Sequence, residues 1–381
     1  MSKINIIIGL GFGDEGKGIM TDFVCSQATN PLVIRFNGGS QAGHTVNYNG
    51  FSHVFSNFGS GTFRGAPTYW SRFCALYPKA VLNEYDILVE KGFPPMLYVD
   101  GMCPVTTDYD IFFNQNRERK DGHGSCGAGF GATMKRNESP YKLYAKDLQY
   151  PSVVKLKLEA IRNYYGFSYD PEAENQFLSY CAEFVQICEI VYEATFLYYQ
   201  AYVLKRDFVF EGAQGVLLDM DHGFFPHVTY SNTTSKNAVA LMRRNFTDWE
   251  SSATVNYVTR AYQTRHGNGP MTNENHTLNF NKNPKETNVF NEWQGNFRCT
   301  PLDLDLLKYA VDSDESFSAP LLKTLTITCV DQVPNGIQYT ENGELKITSH
   351  PKVILDKVLK DGKLFTSHSP ESKEIKKYGF N

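Results

Sequence analysis

No run in this 381-residue sequence approaches the ~20 consecutive apolar residues that cross a bilayer, which removes the membrane-spanning classes. Also missing is any Cys-x-x-Cys pair or Cys/His cluster of zinc spacing; the eight cysteines are scattered and read as reduced thiols. Basic excess is lacking too: 37 Lys and Arg against 41 Asp and Glu leave a formal net charge of -4, so an anionic ligand needs a local pocket and not a nucleic-acid-type surface. Internal repeats and low-complexity tracts are absent, and the order of elements must carry the architecture. The first residues enter an apolar run with no charged leader or small-residue cleavage site, and a cytoplasmic protein is expected. What is present is a folding composition: 41% hydrophobic, 20% charged and 14% aromatic residues together exclude disorder.

The elements alternate. Ile4 to Leu10 is a continuous apolar run of strand length ending in glycines, and Gly18 to Ser26 can follow as a helix. Leu32 to Phe36 is a second strand that ends at Gly38-Gly39, and Val203 to Phe210 a third that runs into Glu211-Gly212-Ala213-Gln214-Gly215. Val255 to Ala261 and Leu321 to Val330 read as two more buried strands. Between them, Val153 to Tyr202 is expected to be one long packing helix, with Phe177, Cys181, Phe184, Cys188 and Val191 on one face. The Asn-, Lys- and Thr-rich stretch from Asn273 to Asn291 is the expected mobile loop. Strand-to-glycine junctions are where open α/β sheets bind ligands. Their spread along the chain predicts an α/β fold: one large P-loop-like domain over residues 1–381, with a mostly parallel central sheet and helical insertions.

Gly11-Phe12-Gly13-Asp14-Glu15-Gly16-Lys17-Gly18 has the spacing of a phosphate loop, except that Gly18 stands where Ser or Thr usually holds magnesium. Amides freed by the glycines can surround phosphate oxygens while Lys17 adds a charge, although such turns also serve close packing. An acid inside that cradle, Asp14, either binds a cation, does proton chemistry or caps the following helix. His44, just after the second glycine loop, is either a proton donor to a leaving oxygen or a structural histidine.

Five runs in order resemble the adenylosuccinate synthetase family. They are Gly13 to Gly18, Asn37 to Val46, Glu211 to Gly223, Val228 to Thr234 and Thr264 to Pro270. The resemblance implies a homodimeric ligase that uses GTP and magnesium to join L-aspartate to IMP through a 6-phosphoryl intermediate. By position, Asp14 would be the base at N1 of IMP and, with the carbonyl of Gly43, a magnesium ligand. His44 would be the general acid, Gln214 would hold the 6-oxygen, and Lys17 would neutralise the transferring phosphoryl group. GTP contacts would come from Gly13, Glu15, Gly16, Lys17, Gly18, Gly43, His44 and Thr45. Thr328-Cys329-Val330-Asp331 resembles the guanine-reading segment, with Asp331 on the base unless it only caps a helix, and Ser367 and Pro370 beside it. The acceptor nucleotide would meet Asp14, Gln41, Ser125, Cys126, Gln214, Leu218, Thr229 and Asn296. Aspartate would meet Arg298 and Asn296.

The pattern departs from the family around the acceptor. Cys126 replaces a threonine, Gln41 an asparagine, and Asn296 one of a run of arginines of which only Arg298 remains. The arginine that crosses to a neighbouring subunit has Lys142 and Tyr144 as its nearest counterparts. A phage-type relative that acts on dGMP lacks the acid at the Asp14 position, so Asp14 favours IMP. The lost arginine near the ribose leaves dIMP or dGMP open. A GTP-binding switch without turnover and a phosphotransferase acting on a small alcohol are the rival readings.

Overall fold

The computed structural model describes residues 2–122, 124–284, 286–290, 293–359 and 361–378. Its strands are, in chain order, β1 (Ile4–Gly9), β2 (Leu32–Arg35), β3 (His44–Tyr48), β4 (Phe51–Phe55), β5 (Thr68–Trp70), β6 (Leu97–Asp100), β7 (Cys188–Val191), β8 (Phe208–Gly215) and β9 (Ala253–Arg260). There follow β10 (Gln263–His266), β11 (Phe297–Thr300), β12 (Leu302–Asp303), β13 (Leu322–Thr328), β14 (Ile337–Glu341), β15 (Glu344–Thr348), β16 (Lys363–Thr366) and β17 (Lys376–Tyr378).

Ten of these form one sheet in the order β17-β16-β13-β9-β1-β8-β2-β5-β6-β7. Every neighbouring pair is parallel except β16 and β17 at one edge. β1 is central because it is apolar on both faces: Ile4, Ile6, Ile7 and Ile8 are all buried, and each such side chain contributes roughly 1.5–3 kcal/mol. Parallel neighbours open their carboxyl ends to the same side. The six contiguous strands β16, β13, β9, β1, β8 and β2 therefore deliver their following turns to one rim.

Helix α1 (Lys17–Gln27) follows β1 as expected and is buried along most of its length. The expected long helix over 153–202 is divided. Gly166, left-handed at φ 71, ends the helix Pro151–Tyr165, and Asp170 caps the helix Pro171–Ile187 by accepting the amides of Glu172 and Ala173. Phe177, Cys181 and Phe184 are buried on the second of these, whereas Cys188 and Val191 belong to the edge strand β7. The third predicted strand starts later than expected, at Phe208, and carries the glycine-rich Glu211–Gly215 within it. No helix among the described residues is long and apolar enough to cross a membrane.

Candidate active site

The turn after β1 is shaped by its neighbours. Three successive carbonyls, those of Gly13, Asp14 and Glu15, accept bonds from Thr264 Oγ1 (3.1 Å), Arg260 Nε (2.6 Å) and Thr328 Oγ1 (2.7 Å). Because a trans peptide sets its N–H opposite its C=O, the amides of Asp14, Glu15 and Gly16 are aimed the other way, as an anion cradle requires. Gly13 (φ 97), Asp14 (φ 62) and Gly16 (φ 92) take the left-handed backbone that this curl demands.

The side chain of Glu15 does not reach outward as a phosphate contact. Its carboxylate turns in, accepts the amides of Gly11 (3.0 Å) and Gly13 (2.8 Å), and takes the Lys17 ammonium at 2.6 Å. A β-carbon at Gly9 or Gly215 would fall 2.2 or 2.3 Å from its oxygens, so those glycines form its socket. Glycine at position 18 also has a packing reason: a β-carbon there would lie 2.8 Å from the His44 β-carbon and 3.2 Å from Ser60 Oγ.

His44 opens β3. Its Nδ1 lies 2.7 Å from Glu211 Oε1 on β8, which leaves Nε2 for a substrate. Glu211 is fully buried, accepts the hydroxyl and the amide of Ser60, and its carboxyl is held down to about 2: burial opposes ionisation, but His44, Arg35 and Ser60 outweigh it. Burial pushes the His44 imidazole below its ordinary value, and the Glu211 carboxylate pulls it back up. Sequence reading did not single out Glu211; its only signal was its place at the head of a matched run.

Asp14, 23% exposed at the side chain, faces His266 Nδ1 at 3.6 Å, while His266 Nε2 meets the carbonyl of Val289 at 2.9 Å. Burial would raise the Asp14 carboxyl, yet His266, Arg260 and Lys17 hold it below its ordinary value; burial likewise lowers His266, but Asp14 raises it on balance. His266 too was passed over, although it sits inside a matched run.

Among the residues expected at the acceptor, unmet polar groups occur. Gln214 (φ 60) has a buried Oε1, and Gln41 two buried amide atoms, that meet no partner among the described residues. Such groups cost about 1–3 kcal/mol each unless a ligand satisfies them. Thr229 is tied to the carbonyl of Leu218 at 2.8 Å. Ser125 bonds Asn114, and the half-buried Cys126 thiol is pushed up by burial. A cavity of about 230 Å³ is lined by Gly267, Asn268, Gly269, Gln294, Asn296 and Arg298. The Arg298 guanidinium there already bonds Glu274 (2.8 Å) and the carbonyls of Gly267 (2.8 Å) and Gly269 (2.9 Å).

At the other end of the rim, Asp331 is exposed in a short 3-10 turn after β13. The amide of Val330 bonds the carbonyl of Ser367, which joins the turns after β13 and β16; Pro370 is exposed beyond them. Gly43 is also exposed, and Lys142 lies on the surface. The described part of the expected mobile loop is held at several points, as set out below; Lys285 and Asn291 lie outside the described residues.

A profile of the adenylosuccinate synthetase family matches residues 6–378. The adenylosuccinate synthetase of Ectopseudomonas mendocina (strain ymp) is 32% identical over 290 residues, 72% of this chain and 65% of that protein. The one from Bordetella avium (strain 197N) is 29% identical over 363 residues, 91% of this chain and 82% of that protein. The match to the first of these thus spans just under two thirds of its length. Among solved structures, a fully ligated adenylosuccinate synthetase from Plasmodium falciparum superposes with a TM-score of 0.78 at 18% identity, covering 100% of both chains. The cyanophage S-2L succinoaminodeoxyadenylate synthetase (PurZ), bound to dGMP and dATP, gives 0.66 at 16% identity over 99% of this chain and 95% of that one. At these identities the likeness to solved structures is one of fold.

Proposed function

The chain belongs to the adenylosuccinate synthetase family, and from that premise we propose that it joins L-aspartate to C6 of IMP, consuming GTP and releasing adenylosuccinate, GDP and phosphate. The observation that carries this reading is the packing of α1, the helix that leaves the Asp14 turn, against His44 at Gly18, with the Gln214 main chain 3.9 Å from where a β-carbon on Gly13 would stand.

A purine 6-oxygen is a poor leaving group; phosphorylated, it can be displaced by an amine. Asp14, kept ionised by His266, Arg260 and Lys17, takes the N1 proton, so that electron density moves to the 6-oxygen as it attacks the γ-phosphorus. The Gln214 amide steadies that oxygen. His44, oriented by Glu211 through Nδ1, donates from Nε2 to the phosphoryl group and the departing oxygen in its imidazolium form, which Glu211 and the phosphate charge favour against burial. The amides of Asp14, Glu15 and Gly16 and the Lys17 ammonium hold the phosphates. Here Glu15 contributes its main chain, while its carboxylate is spent inside the turn. Asp331, Ser367 and Pro370 would meet the guanine, and Ser125, Cys126, Gln41, Leu218 and Thr229 the acceptor nucleotide. The cavity of Asn296 and Arg298 would take aspartate.

Magnesium is part of this reading. Asp14 and the carbonyl of the exposed Gly43 would offer it hard oxygen donors. When bound, it supplies positive charge to the phosphoryl oxygens. The reading also includes a cytoplasmic homodimer. Its support is the eight unbonded cysteines and an exposed surface where Lys142 follows Tyr141 and lies near Tyr150 and Leu156 in sequence, through which one subunit would reach its partner's acceptor phosphate.

Asn296 in place of an arginine, in a cavity whose one cation among the lining residues is Arg298, leaves dIMP or dGMP open as a second acceptor of the same chemistry, while Asp14 speaks for IMP. The deciding assay supplies GTP, magnesium and L-aspartate with IMP, dIMP, GMP or dGMP in turn, and follows GDP and the succinylated product. Turnover with IMP supports the main reading. GDP formed without aspartate consumption, or GTP binding without turnover, overturns it.

A further inference from the structure

The composition of residues 273–291 predicts a loose loop, yet its described part is fastened from end to end. Asn273 Nδ2 bonds the carbonyls of Pro301 (3.1 Å) and Leu302 (3.0 Å) and the hydroxyl of Thr340 (2.9 Å). Leu278 and Phe280 pack on the main core, Phe280 with its ring 5.0 Å from that of Tyr262. The amides of Asn279 and Asn281 bond Gln338 and the carbonyl of Gln332, both at 2.7 Å. This anchored approach brings residues 286–289 across the rim.

Within those four residues lie three contacts to three different walls of the site. Glu286 Oε2 bonds Arg260 Nη1 at 2.8 Å, and Arg260 Nε holds the Asp14 carbonyl. Thr287 Oγ1 bonds Thr45 Oγ1 at 3.1 Å, one residue from His44. The carbonyl of Val289 meets His266 Nε2, the far side of the ring that faces the Asp14 carboxylate. The Glu286 carboxylate is itself fixed, since its other oxygen accepts the amide of Asn288 (3.1 Å) and Asn288 Nδ2 (2.9 Å). One short segment therefore grips the Asp14 turn from its main chain and from its side chain, and the His44 strand from outside.

We propose that Glu286, Thr287 and the carbonyl of Val289 form a positioning strap that holds the Asp14 turn and the His44 strand at a fixed separation. The inference rests on the roles proposed above for Asp14 and His44. None of the three strap residues is assigned a contact with substrate; they act through Arg260, Thr45 and His266. A reacting pair displaced by about 1 Å loses on the order of a hundredfold in rate, so a small loosening has a measurable effect on kcat while binding surfaces stay intact.

The test compares Glu286→Gln, Thr287→Val and Thr287→Ser in the full chain. Thr287 and Val289 are exposed, so the position 287 variants leave the core untouched. Expected is a fall in kcat of roughly tenfold or more for Glu286→Gln and Thr287→Val, with KM for GTP and IMP within about twofold, and a near wild-type kcat for Thr287→Ser, which keeps the hydroxyl. Amide hydrogen exchange of residues 12–16 and 44–48 should quicken in the first two variants and not in the third. Unchanged kcat and exchange in Thr287→Val and Glu286→Gln overturn the strap. So does a lowered KM for GTP, which would mark the segment as an obstruction to the nucleotide. If the wild-type chain fails to turn over GTP, IMP and aspartate together, the functional reading fails, and the exchange measurement still decides the strap.

Discussion

Gly18 and His44 stand so close that a β-carbon on residue 18 would come within 2.8 Å of the His44 β-carbon. The phosphate-loop position that commonly carries a hydroxyl is here given up to let α1 and β3 touch. Gly18→Ala is expected to push His44 off Glu211 and lower kcat by about a hundredfold, with a stability loss of about 1–3 kcal/mol. Steady-state kinetics and a urea titration check both. A fully active Gly18→Ala protein would show that His44 does not need its present place.

Asp14→Asn and His44→Ala should each reduce GDP release by roughly a hundred- to ten-thousandfold, the usual worth of a positioned acid or base. GTP binding, followed by calorimetry, should persist in His44→Ala. Rates like the wild type in either variant would remove the assigned roles.

Glu211→Gln keeps a bond to His44 but removes the buried charge. The Glu211 carboxyl is depressed, so the stability it contributes is present above its ordinary value of 4.5 and is lost as pH falls through about 2. The wild type should therefore lose stability more steeply than Glu211→Gln across that window, as read from urea midpoints. Parallel pH curves for the two proteins would contradict the ion pair.

His266→Val removes the imidazole beside Asp14. Because His266 helps hold the Asp14 carboxyl down, the acid limb of the kcat/KM profile should move to higher pH in the variant. His266 is itself raised, so the stability it contributes is complete below its ordinary 6.5 and fades as pH rises through its folded value. An unmoved acid limb would rule the pair out of catalysis.

Arg298→Gln should raise KM for aspartate by ten- to a hundredfold while KM for IMP changes little, since a charged hydrogen bond is worth about 1.5–3 kcal/mol. Equal changes in both constants would separate the 230 Å³ cavity from the amino acid.

Much of this site is legible along the chain, and the physical reasons are local. The strands β1 and β2 carry apolar side chains because both faces are covered, and Gly9, Gly11, Gly38 and Gly39 stand at or just beyond their ends, so strand and turn read together. What escapes is long-range. The bond of Glu211 to His44 joins residues 167 apart, and nothing near either position announces the other. The segment ending at Phe290 looks loose by its Asn and Lys content, but its order comes from partners such as Arg260 and Gln332 that its own composition does not reveal. The division of the expected long helix was, by contrast, present locally in Gly166 and the Asp170-Pro171 cap, and the apolar spacing of Phe177, Cys181 and Phe184 masked it.

The three carbonyls tied down by Thr264, Arg260 and Thr328 carry a lesson for protein engineering. Those anchors come from strands laid down more than two hundred residues after the turn they hold. Transplanted to a foreign scaffold, the octapeptide from Gly11 to Gly18 would lose its curl, and with it any grip on a nucleotide.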